Sequence, residues 1–117
     1  MNPLLLVSIG GIAGTLSRYG IGALIPSGRT GTLVANLIGV GLAAALLVLI
    51  ERRGNINLRL LLLPGFASGL TTFSAVAIHS IEPADGGLTY LGFTVVLSLL
   101  IIALVIPTVR RLIPVRR

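Results

Sequence analysis

Apolar residues in this chain neither alternate nor form narrow stripes. They fall into four long blocks separated by short polar stretches. A bilayer core is about 30 Å thick and takes about 20 mostly apolar residues to cross as a helix. The pattern therefore predicts four spanning helices, over about 3–24, 31–50, 60–81 and 88–109. Connections at 25–30, 51–59 and 82–87 are too short to form a further domain, so residues 1–117 read as one all-α transmembrane unit.

Composition strengthens this reading. Hydrophobic residues make up 55% of the chain and charged residues only 10%, against about 25% charged in a typical soluble domain. The polar surface cannot cover a globule in water, so an oligomer in a lipid membrane is expected. No cysteine is present, which excludes disulfides and thiolate metal sites. The stretch from Met1 to Leu16 has no basic leader and is followed by further apolar blocks, so a cleaved signal is not expected. The net charge of +6 comes from nine arginines and no lysine. They sit outside or near the ends of the apolar blocks, which favours a topological role over nucleic-acid binding. Arg52, Arg53, Arg59, Arg110, Arg111, Arg116 and Arg117 fall on one side of a four-span protein, with Arg18 and Arg29 on the other. The positive-inside rule then predicts that both termini are cytoplasmic.

Candidate chemistry concentrates in the third block, at Pro64-Gly65-Phe66-Ala67-Ser68-Gly69-Leu70-Thr71-Thr72-Phe73-Ser74. Such a run weakens helical hydrogen bonding in the middle of a span. Freed backbone groups at that depth must face protein or a water-filled path, and broken helices often place an ion there; the other reading is a kink satisfied by neighbouring helices. Asn36 lies in the second block with Thr32 one turn before it. Tyr90, Thr94 and Ser98 fall on one stripe of the fourth. Glycines recur throughout, consistent with close helix packing. Arg18 either snorkels to the interface or draws anions to a vestibule. His79 reads as an interfacial packing residue. Glu51, Glu82 and Asp85 all fall in loops, whereas proton-coupled carriers generally need an ionisable group within a span. No nucleophile–base pair, metal-ligand cluster or phosphate loop appears, so no enzyme activity is expected.

The run from Gly65 to Ser74 resembles the GxxGGxTTFSTF signature of the Fluc (CrcB) fluoride channel family. Gly10-Gly11-Ile12-Ala13-Gly14 with Ser17-Arg18-Tyr19 resembles that family's first helix, and the run from Gly31 to Gly39 resembles its GTLxxNxxG second helix. The resemblance implies an antiparallel dimer of four-helix subunits in a bacterial or archaeal cell membrane, with the third helix broken near its middle. It further implies two pores for passive fluoride export and a structural sodium ion at the dimer interface. The sodium would be held by backbone carbonyls, which match Ser68 and Thr71. Asn36, Phe73 and Ser74 match pore positions, and Thr94 and Ser98 align with the polar track. These hydroxyls and the Asn36 amide can replace water around fluoride. The edge of an aromatic ring such as Phe73 is positive and can face an anion, and Arg18 can help attract one. The sequence departs from the pattern at Ser68, where the family has glycine. It departs again at Ala75 and Val76, where the family has threonine and its second phenylalanine. The uneven arginines would insert most copies one way, so a paralogous partner of opposite bias is expected, with a homodimer as the alternative. Two other readings stand beside this one: a non-conducting half of a heterodimer, and a small multidrug-type carrier. The carrier would want a glutamate in the first span, and none is there.

Overall fold

In the computed structural model, which describes residues 1–81 and 86–115, all regular structure is helical. Glu82 and Asp85, expected in the third connection, and Arg116 and Arg117, expected in the tail, lie outside the described residues. Among the described residues, four helices are long and apolar enough to cross a membrane: α1 (Pro3–Leu24), α2 (Gly28–Arg53), α3 (Ile56–Ile81) and α4 (Gly87–Leu112). The last three extend beyond the apolar blocks, α2 and α3 into ends that polar residues cap and α4 into Arg110, Arg111 and Leu112. Asn2 and Ser27 accept hydrogen bonds from the N–H groups of Leu4 and Thr30, which satisfies first-turn donors. Gly54, at φ 69°, stops α2 in a left-handed turn that glycine adopts without strain. Asn55 then caps α3 through the Leu58 N–H.

The first half of α3 packs on α1, while α4 packs on α2 and on the second half of α3. The α1–α3 contact is backbone against backbone. A Cβ on Gly10 would overlap the Leu61 carbonyl, and one on Gly14 the Phe66 carbonyl. Gly69 opposes the Gly11 carbonyl in the same way. Small residues spaced by four in both helices are what permits this approach without a hydrophobic drive. Apolar side chains such as Ile12 and Leu16 on α1, and Phe93, Val96, Leu100 and Leu104 on α4, point outward, as a lipid-facing surface requires.

Within α3 the helical register changes twice. Residues Leu61–Ala67 form a π-helical stretch containing Pro64. Proline has no N–H to return to the carbonyl four residues earlier, and a wider turn accommodates that loss. Helix then runs to Leu70, Thr71 is extended at φ −88° and ψ 156°, and helix resumes at Phe73.

Candidate functional site

The interruption at Thr71–Thr72 leaves backbone groups that α3 cannot satisfy itself. In an unbroken helix the Thr72 N–H would donate to the Ser68 carbonyl, and the Ala75 N–H to the Thr71 carbonyl. Here the Thr72 N–H donates to Asn36 Oδ1 at 2.7 Å, and Asn36 Nδ2 donates back to the Thr72 carbonyl at 3.0 Å. The Ala75 N–H donates to Thr72 Oγ1 at 3.4 Å, so Thr72 caps the second half of α3. That hydroxyl also lies 3.2 Å from Ser74 Oγ.

The two displaced carbonyls, Ser68 and Thr71, acquire other partners. Arg18 Nη1 donates to the Thr71 carbonyl at 3.0 Å. The Thr71 hydroxyl donates to the Ala67 carbonyl at 3.1 Å and more distantly, at 3.5 Å, to the Ser68 carbonyl. The guanidinium thus reaches inward from α1 to the break instead of outward to an interface. The clamp is tight from α2 as well, where Gly39 makes room for the Thr71 methyl group.

Between the break, α2 and α4 lies a cleft of about 360 Å³, whose lining includes Asn36, Thr72, Phe73, Val76, Thr94 and Ser98. Asn36 stands eight residues inside α2, about 12 Å along its axis. Four of the expected pore residues, Asn36, Phe73, Thr94 and Ser98, therefore share one space. Ser74 is not part of its lining and reaches it only through Thr72. Ser68 is exposed on the outer side of α3. Arg18 lines a separate recess with Thr15, Tyr19 and Gly22.

The fourth-helix stripe also divides. Thr94 Oγ1 donates to the Tyr90 carbonyl at 2.9 Å, within its own helix. Tyr90 belongs instead to a knot at the helix ends. Its hydroxyl donates to the Arg29 carbonyl at 3.2 Å, Arg29 Nη2 donates to the His79 carbonyl at 3.1 Å, and the His79 ring meets the Tyr90 ring edge-on. Val76 is buried in the cleft, whereas the Phe73 ring is 79% exposed.

Sequence reasoning missed the Arg18–Thr71 bond, the double bond from Asn36 to Thr72 and the π-helical stretch. The pairing of α1 with α3 had a visible signal in the four-residue spacing of Gly10 and Gly14 and of Gly65 and Gly69. Arg18 and Thr71 are 53 residues apart, and nothing local links them.

Comparison with known proteins points to one family. Residues 5–106 match the family model described as CrcB-like protein, Camphor Resistance (CrcB). A protein named fluoride-specific ion channel FluC, from Rhizobium leguminosarum bv. trifolii, is 39% identical over 94 residues, covering 74% of this chain and 75% of the relative. One of the same name from Paracoccus denitrificans is 37% identical over 107 residues, covering 84% and 86%. Fluoride-specific ion channel FluC 1 from Yersinia pseudotuberculosis is 34% identical over 104 residues, covering 83% and 82%.

Proposed function

The chain belongs to the CrcB-like family, and from that membership we propose that it is a subunit of a channel conducting fluoride passively out of the cell. The observation that carries this reading is the cleft beside the break. It gathers an amide, the hydroxyls of Thr71, Thr72, Thr94 and Ser98 and an aromatic ring inside the span, with no carboxylate among the described residues that line it. Fluoride holds its water tightly, so a conducting path must offer hydrogen-bond donors in its place. Asn36 Nδ2 has a second N–H beyond the one given to Thr72. Ser98 can turn its hydroxyl into the cleft, and Thr94 can do the same by releasing the Tyr90 carbonyl. Phe73, at the open edge, presents ring hydrogens.

The subunit works as an antiparallel dimer. Ser68, Ser74 and Thr15 are exposed on the outer side of α1 and α3, at a depth where lipid offers no hydrogen-bond partner. A second subunit would cover them. The Arg110–Glu51 contact, at 3.7 Å, brings the basic ends of α2 and α4 together and supports a cytoplasmic location for both. The resulting seven-to-two arginine split favours a paralogous partner of opposite bias. Cysteine labelling at Ser27 or Gly86 should then occur from outside, and at Asn55 from inside; equal labelling of all three from both sides would refute this orientation.

The fold family implies a sodium ion on the dimer axis. The break fits one, because the displaced carbonyls are those of Ser68 and Thr71, and Arg18 uses only one of the two lone pairs on the Thr71 oxygen. These two carbonyls, with their counterparts, would hold the ion. Bound there, it would neutralise carbonyl dipoles facing one another across the axis.

Liposomes containing the oligomer should release fluoride without a proton gradient; strict dependence on such a gradient would overturn the channel reading. A specific observation favours a second reading. Val76 fills the cleft position where the family carries its second phenylalanine, so this subunit's own pore would be silent in a heterodimer. Restoration of flux by Val76→Phe in an otherwise inactive single-chain preparation would distinguish the two.

A further inference from the structure

The arginine-rich end of the bundle contains a cleft that the proposed pore does not use. Its volume is about 260 Å³. Leu47, Ile50 and Ile56 supply an apolar lining, and Glu51, Asn55 and Arg59 a polar one. The lining is built rather than incidental. Gly54 turns the chain sharply between α2 and α3, and the Asn55 side chain is fixed by the Leu58 N–H at 3.1 Å. Glu51, the one acid in the lining, is faced by Arg110 at 3.7 Å. Arg59 lines the cleft, and Arg52 and Arg53 follow Glu51 in the last turn of α2. Among the described residues these three arginines have no acceptor within hydrogen-bond or ion-pair distance.

We propose that this cleft binds an anionic phospholipid, with the headgroup phosphate against Arg59 and the upper acyl chain along Leu47, Ile50 and Ile56. The location is that of a bilayer surface, because α2 ends there after crossing the apolar core and α3 begins there before crossing back. A soluble anion would gain nothing from the apolar lining. A zwitterionic headgroup would bring a quaternary cation beside Arg59. An anionic lipid matches both halves, and each arginine near a membrane surface contributes about a fivefold gain in affinity for such lipids.

The test is thermal unfolding of the detergent-purified oligomer titrated with phosphatidylglycerol, phosphatidylcholine or inorganic phosphate. Phosphatidylglycerol alone should raise Tm at low concentration. Arg59→Gln should weaken its half-saturation about fivefold, Arg59→Lys should retain most of the affinity, and Arg111→Gln, at the end of α4, should have little effect. Equal protection by phosphatidylcholine would overturn the proposal, and so would equal protection by inorganic phosphate. An Arg111→Gln loss as large as that of Arg59→Gln would also refute it, since it would indicate diffuse attraction without a site. The comparison of lipids on the unmodified protein stands even if a variant fails to fold.

Discussion

The two sides of the Thr71–Thr72 break are built on opposite principles. On the α1 side, Gly10 and Gly14 bring one backbone directly against another, and the contact is closed. On the α2–α4 side, Asn36, Thr94 and Ser98 are short polar residues that leave a cleft. Each side also sends one polar group to the break, Arg18 from α1 and Asn36 from α2. The difference shows how an interrupted helix can be packed closely on one face and yet adjoin an open cleft on the other.

This comparison is broken most severely by adding bulk to the closed side. Gly14→Leu should abolish folding or dimer assembly, because the new side chain meets the Phe66 carbonyl, which is backbone and cannot swing away. Size-exclusion chromatography should show aggregate or no recoverable protein. The next effect is at the clamp. Asn36→Leu leaves the Thr72 N–H and carbonyl without their partner and should cost about 2–4 kcal/mol of stability, together with loss of flux through the pore containing it. On the open side, Thr94→Val should cost less than about 1 kcal/mol, because its hydroxyl bonds only its own helix. Its fluoride flux should nevertheless fall clearly in a liposome efflux assay, and a flux equal to wild type would remove Thr94 from the path. The smallest effect is expected far from both sides. Glu51→Gln removes a pair whose side chains are both about half exposed, and should change Tm by an amount matching less than about 1 kcal/mol.

The four spans were legible because membrane thickness sets a length that apolar runs must meet, and α2 ran longer where capping by Ser27 and Gly54 took over from hydropathy. The gathering of Asn36 with Thr94 and Ser98 could be anticipated from polar residues in apolar helices, which need some partner. What those residues bond was not legible. Asn36 reads as a donor awaiting an anion, yet half of its amide is committed to Thr72. Tyr90 reads as part of one stripe with Thr94, yet its hydroxyl is drawn to Arg29. Pro64 lies in the run read as weakening the helix, but that the chain would widen into a π turn there and continue was not legible.

The bond from Arg18 to the Thr71 carbonyl bears on the order in which this protein is made. Ribosomes deliver α1 to the insertion machinery well before Thr71 has been synthesised, since 53 residues separate donor and acceptor. At that moment the guanidinium has no carbonyl to meet and can reach only headgroups or water. The first helix is therefore made with this bond unmade, and the bond can form only when the third helix arrives, after Arg52, Arg53 and Arg59 have been added to the chain.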